Sequence, residues 1–256
     1  MAVPSSQVIA SWVKDELSAE WSSLQVLCLK ALRKRWGAAG EIKISEHVEQ
    51  NLKYVAEHLR DEVGEWGLDG VAPTFEVDDE ENPYIRSLKE RDTALLEKLR
   101  HIDPAAVEGL CAEVLKALNA EAYSTLPIND GGVDFMAFNV KAVPGALVYP
   151  AACGAVVIGQ TKRYKDGNVV RETQLREFVG ASLLRKHSLR RDGKVGPLTP
   201  VICAFWTTSD FEPNARQYAR AVGLWYMEGS TLAHYLETLG LAAKVMAMSD
   251  FQVGSK

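Results

Sequence analysis

The sequence predicts an α/β fold: a central mixed β-sheet flanked by helices, preceded by an α-helical N-terminal module. Two observations carry this. Up to about residue 95, apolar residues recur at helical spacing and few β-branched runs occur; beyond it, β-branched apolar runs alternate with amphipathic helical stretches. The clearest strand is Ala155-Val-Val-Ile-Gly-Gln160-Thr-Lys162-Arg-Tyr164, in which an apolar run enters and a polar run leaves. A buried strand reads this way where it surfaces at the rim of a sheet.

Residues 5–36 trace an apolar stripe through Val8, Trp12, Leu17, Trp21, Leu24, Leu27 and Leu32, and are expected to be helical until Gly37–Gly40. Ser45 reads as the N-cap of a second helix, Glu46 to Trp66, ending near Gly67. Residues 67–83, with two prolines and the acidic run Asp78-Asp-Glu-Glu81, read as a surface loop, and Tyr84 to Arg100 as a further helix. Pro104 opens an amphipathic helix through Val107, Leu110, Cys111, Val114, Leu115 and Leu118, with Glu108 near its start. Strands are expected at 132–140, 145–149 and 154–162, with a hairpin around Pro144. A helix from Leu175 to Leu189, a strand from Pro200 to Trp206, a helix from Phe211 to Val222, a strand over Gly223–Met227 and a helix from Ser230 to Leu239 complete the order. The chain accordingly divides into residues 1–95, a helical accessory or interaction module, and residues 96–256, an α/β domain.

Composition narrows the class. With 47% hydrophobic and 25% charged residues, the 256-residue chain has the makeup of an ordinary globular protein. No apolar stretch approaches the roughly 18 residues needed to span a bilayer, and Met1-Ala-Val-Pro-Ser-Ser-Gln lacks the marks of a secretory signal. A cytoplasmic protein with no membrane association is expected. Cys28, Cys111, Cys153 and Cys203 form no C-x-x-C pair and suit reduced thiols rather than a zinc site. The net charge is −5, yet Lys162–Lys194 holds ten basic residues against four acidic ones. A basic stretch of this kind binds phosphates, or else forms a solvated helix face.

The chemistry resides in few residues. Gln160 and Lys162 are two apart on a strand and share one face. An oxygen ligand and an ammonium together, with a carboxylate from the preceding strand, meet the needs of metal-assisted phosphodiester hydrolysis. Each feature has a plainer reading on its own: an Asp after Gly-Gly shapes a turn, Gln-x-Lys makes a polar rim, and Glu108 complements a helix dipole. The five histidines form no ligand pair at useful spacing, and there is no Gly-x-Ser-x-Gly, P-loop or His-Glu-x-x-His.

Taken in order, these pieces resemble the Mrr-like branch of the PD-(D/E)XK restriction endonuclease superfamily, over about residues 95–240. The matching segments are Val107-Glu108, Asp130-Gly-Gly-Val-Asp134, Gln160-Thr-Lys162-Arg-Tyr, Leu175-Arg-Glu-Phe-Val-Gly180, and Trp206-Thr-Thr-Ser-Asp-Phe211 with Tyr218-Ala219. Val107 stands where phenylalanine is usual and Asn119 where glycine is usual. The resemblance implies a restriction-endonuclease-like sheet and a Mg²⁺-dependent DNA endonuclease (Mn²⁺ as the alternative metal) in restriction or anti-phage defence. It implies that Asp134, Gln160 and Glu108, with the Thr161 carbonyl, hold the metal. Lys162 would hold the attacking water, and Asp130 would support the site from behind or shape the glycine turn. Arg163, Arg171, Arg176, Arg185, Lys186, Arg190, Arg191 and Lys194 are the expected DNA contacts. A homodimer and docking to a defence-complex partner through residues 1–95 are expected as well. The competing readings are a nucleic-acid-binding subunit, activated by a partner or effector and with little cleavage of its own, and a helical interaction protein.

Overall fold

In the computed structural model, which describes residues 3–68, 73–88, 93–125, 131–141, 154–165 and 168–251, the chain divides into two units. One comprises Met1–Thr93 and Asp166–Val169, the other Ala94–Lys165 and Val170–Lys256.

The first unit opens where the Ser5 hydroxyl accepts the Val8 N–H and caps α1 (Ser6–Asp15). The helix expected over 5–36 is broken. After α1 come β1 (Ser22–Ser23) and α2 (Leu24–Trp36), because Ser18, Ser22 and Ser23 engage the backbone elsewhere. Ser22 and Ser23 pair with Ile85 and Tyr84, and the Ser87 N–H donates to the Ser18 carbonyl at 2.7 Å. A 3₁₀ turn (Gly37–Ala39) leads into α3 (Glu41–Leu68), which starts four residues before the expected Ser45 cap. Strands β2 (Phe75–Val77) and β3 (Tyr84–Ser87) pair antiparallel where the sequence reads a loop and the start of a helix. Ile85 and Ser87 point inward while Tyr84 is exposed, an alternation of period two. The acidic turn between these strands is held by Arg60, whose guanidinium donates to the carbonyls of Asp78 and Glu80.

Trp12, Val13, Leu24, Leu32, Trp36, Leu59, Phe75 and Ile85 form this unit's core. Trp21, placed on the apolar stripe by its spacing, is instead 43% exposed, with the Arg86 guanidinium 4.8 Å from its ring centroid. At the end of α1, Glu16 receives Lys34, Arg35 and Lys30 at 3.0–3.1 Å.

In the second unit, α4 (Thr93–His101) precedes α5 (Pro104–Ala117), which begins with Asp103 accepting the Ala105 N–H and Pro104 in the first turn. Then follow β4 (Glu121–Ser124), β5 (Phe135–Val140), β6 (Ala155–Lys162), β7 (Val169–Val170), α6 (Glu172–Arg191), β8 (Val201–Thr207), β9 (Asp210–Phe211), α7 (Pro213–Ala221), β10 (Trp225–Met227), α8 (Gly229–Thr238) and α9 (Ala242–Met246). The expected strand at 145–149 and the Pro144 hairpin lie outside the described residues, as does Cys153. Among the described residues no helix is long and apolar enough to cross a membrane.

Five strands form a mixed sheet in the order β10-β8-β6-β5-β4. The β4–β5 and β5–β6 pairs are antiparallel, and β6–β8 and β8–β10 are parallel. Phe135, Ala137, Val157 and Trp206 pack with Leu110, Cys111 and Val114 of α5 on one face. Met136, Val156 and Ile158 pack with Leu189 of α6 on the other. Phe135 lies directly across from Gly159 in the register. A Cβ on Gly159 would lie 2.0 Å from the Phe135 ring, so the ring occupies the space that any side chain there would need.

Gly159→Ala should therefore destabilise the protein by about 1–3 kcal/mol in denaturant unfolding, and Phe135→Leu in the same chain should recover part of the loss. An unchanged unfolding midpoint for Gly159→Ala would remove the ring as the constraint. Burial disfavours charge on Glu16, but hydrogen bonds from Lys34, Arg35 and Lys30 prevail and hold its carboxyl down at about 2. Because that value lies below the ordinary 4.5, the cluster stabilises the fold at neutral pH and is lost as the pH falls from 4.5 through 2. The gap in stability between the wild type and Glu16→Gln should close over that pH range, as measured by urea unfolding.

Candidate active site

Strand β6 surfaces where the expected residues gather. Side chains alternate along it, so Gln160 continues the Val156–Ile158 face, and Lys162 lies on that face as well. Asp134 precedes β5, and Gly131 and Gly132, both at positive φ, turn the chain into the strand. This is why β5 starts at Phe135 and not at 132. The Asp134 N–H donates to the Gly159 carbonyl at 2.8 Å, and Asp134 Oδ2 accepts the Thr161 N–H at 2.7 Å. The carboxylate is thus fixed beside Gln160 by two backbone bonds to the residues on either side of it. Asp134 is 8% exposed and Gln160 9%.

Gly132, held at φ +82°, packs beside both Gln160 and α6. A Cβ there would lie 3.7 Å from Gln160 Nε2 and 3.5 Å from the Ala181 Cβ of α6. The Gln160 amide therefore lies between the glycine turn and α6. Glu108 lies on α5, one turn before Cys111. Burial pushes the Cys111 thiol far above its usual range; the Thr161 hydroxyl opposes this, and the charges of Asp134 and Glu108 add to it.

The end of β6 is pinned from β8. The Lys162 carbonyl accepts both the Thr207 hydroxyl at 2.8 Å and the Thr208 N–H at 3.2 Å. Thr208 Oγ1 accepts the Tyr164 N–H and donates to the Tyr164 carbonyl. Thr207 and Thr208 are fully buried and position the strand end rather than touching any reactant. Their trace in the sequence is the Trp206-Thr-Thr-Ser segment at the end of a strand, where it reads only as strand. The backbone of Lys162 is fixed in this way, while its half-buried amine makes no ion pair or hydrogen bond among the described residues.

The basic residues meet different fates. Arg163 turns inward: Nη1 donates to the Arg100 carbonyl at 3.0 Å, and the guanidinium lies 5.6 Å from the Phe251 ring centroid. Arg171 pairs with Glu212, and Arg176 with Glu172 and the Tyr218 ring. Arg185 donates to Met136 Sδ, Arg190 to the Pro197 carbonyl, and Arg191 to Asp192 and Ser188. Lys186 and Lys194 have no side-chain partner among the described residues. Asp130 lies outside them.

Residues 99–192 match the model of the restriction endonuclease family Mrr_cat. The segment includes Glu108, Asp134, Gln160, Thr161 and Lys162. Among solved structures, the chain is similar to the MspJI restriction endonuclease in complex with a 27-mer oligonucleotide (19% identity, TM-score 0.41, 62% of this chain and 34% of that one). It is also similar to the DNA modification-dependent restriction endonuclease AspBHI (18%, 0.42, 61% and 38%) and to the restriction endonuclease FokI (14%, 0.37, 92% and 44%). The chain spans less than half the length of each. No curated protein matches it in sequence.

Proposed function

We propose that this chain is a Mg²⁺-dependent endonuclease that hydrolyses DNA phosphodiester bonds in restriction or anti-phage defence, with Mn²⁺ as an alternative metal. The observation that carries the reading is the clamp that holds the Asp134 carboxylate beside Gln160, two residues before a lysine with no ion pair among the described residues.

The donor set suits a hard divalent cation. Asp134, Gln160, Glu108 and the Thr161 carbonyl would offer oxygen ligands. When bound, magnesium supplies Lewis-acid stabilisation and a lowered water pKa. The protein's own part is positional. Asp134 and Gln160 hold ligand oxygens at the rim, and Gln160 does so without adding charge. Lys162 holds the attacking water in line with the phosphorus and offsets negative charge on the phosphoryl oxygens as the P–O bond to the leaving group breaks. Lys186 and Lys194 can meet backbone phosphates without breaking an existing contact, and we assign DNA grip to them first. The neutral amide of Gln160 also suits the second reading, a DNA-binding subunit that cuts weakly until a partner or effector acts.

Asp134→Ala and Lys162→Ala should each lower Mg²⁺-dependent cleavage of duplex DNA by at least about 10²-fold with the fold retained, and abolish any protection in a phage plaque assay. Wild-type cutting rates in either variant would remove the site, whereas DNA binding without cleavage by the wild-type chain would favour the subunit reading. Replacing Lys186 and Lys194 with Ala should reduce the slope of log affinity against log salt by about 2. An unchanged slope would place the phosphates elsewhere.

A further inference from the structure

The sheet face that carries Gln160 also carries a second convergence of polar groups, nearer the β4 edge. Ile158, two residues before Gln160, stands opposite Met136, which follows Asp134 by two. Tyr123 of β4 stands opposite Met136 on its other side. Two donors meet on the Met136 sulfur: the Tyr123 hydroxyl donates to Sδ at 3.8 Å, and Arg185 Nε of α6 donates to it at 3.3 Å. Neither side chain makes another hydrogen bond or an ion pair among the described residues. A thioether is a weak acceptor, so a phenol and a guanidinium that end on one are poorly satisfied. Met136 is fully buried, whereas Tyr123 is 45% exposed and Arg185 half-buried, so a ligand can reach both donors from solvent. The Tyr123 ring is held in place by Phe138, nearly parallel to it at 16° with 6.4 Å between centroids.

The chemistry of the pair selects an anion. Glu121, the carboxylate on the same strand, already accepts the Asn139 amide at 2.7 Å. Most base edges mix donors and acceptors, while a phosphate offers acceptors alone and carries the charge that Arg185 otherwise lacks as a partner. Tyr123 Oη and Arg185 Nε each lie within 3.8 Å of one atom, close enough for two oxygens of a single phosphate to bridge them. The Thr125 N–H donates to the Asp134 carbonyl at 2.9 Å, which makes Tyr123 the diagonal neighbour of Asp134 across the strands, about 7–8 Å away. The pair thus adjoins the candidate active site without being part of it.

We propose that Tyr123 and Arg185 form a subsite for a non-scissile phosphate of the DNA strand being cut. The subsite rests on the nuclease reading and adds Tyr123 as a substrate contact. Fluorescence anisotropy with a labelled duplex in EDTA reads binding apart from cleavage. Tyr123→Phe keeps the ring on Phe138 and should weaken binding about fivefold. Arg185→Gln should weaken it about tenfold and lower the slope of log affinity against log salt by about 1. The double variant should lose no more than Arg185→Gln alone, because the two groups hold one phosphate. Losses that multiply would mean separate contacts, and binding indifferent to Tyr123→Phe would remove the subsite; either result overturns the proposal. A base-free deoxyribose-phosphate oligomer, used as a competitor, separates phosphate from base. The Tyr123→Phe loss should persist with it, and its disappearance would assign the hydroxyl to a base and overturn the proposal as well. The nuclease reading fails on different evidence, wild-type cutting by Asp134→Ala, so the two failures are distinguishable.

Discussion

The hydrogen bond from the Thr161 N–H to Asp134 Oδ2 ties the start of β5 to the end of β6. A carboxylate at the start of a strand would ordinarily turn to water. Here the neighbouring backbone bond, Asp134 N–H to Gly159 C=O, places it beside the Thr161 N–H. Charge-assisted bonds of this kind are shorter and stronger than neutral ones, and this one is nearly dry. The positions of Gln160 and Lys162 relative to Asp134 follow from it, because all three are referred to the same two peptide groups.

That register is set by packing as much as by hydrogen bonding. The Phe135 ring lies over Gly159 and against Trp206, 4.9 Å between centroids, and Trp206 in turn meets Trp225 at 4.9 Å. Slipping β5 by one residue would turn Phe135 to the α6 face and bring a side chain under its ring. Core and rim are therefore one problem: the aromatic column on the α5 face fixes the alignment that the polar residues on the other face require.

Much of this was legible in the sequence, for reasons specific to each element. Strands β6 and β8 announce themselves by β-branched apolar runs, and α5 by Asp103, Pro104 and a helical apolar stripe. Gln160 and Lys162 are readable because strand periodicity puts them on one face at a rim, whereas Asp134 and the Thr161 carbonyl are reached only through the family resemblance. Other features leave no such trace. Ile85 and Leu88 fit either period, so β3 read as helix, and β4 buries only Ala122 of its four residues. Arg163 sits in a basic run, but its acceptor, the Arg100 carbonyl, is distant in sequence and invisible to any local pattern. Thr207 and Thr208 act through side-chain-to-backbone bonds across strands, which have no sequence period at all.

The doubly accepted carbonyl of Lys162 has a thermodynamic consequence. A peptide group held by a buried hydroxyl and an N–H cannot rotate, so the backbone entropy of this strand end is surrendered once, when the chain folds. A ligand arriving later at the rim would meet a lysine whose backbone is already anchored, with only the four-carbon side chain left to be ordered.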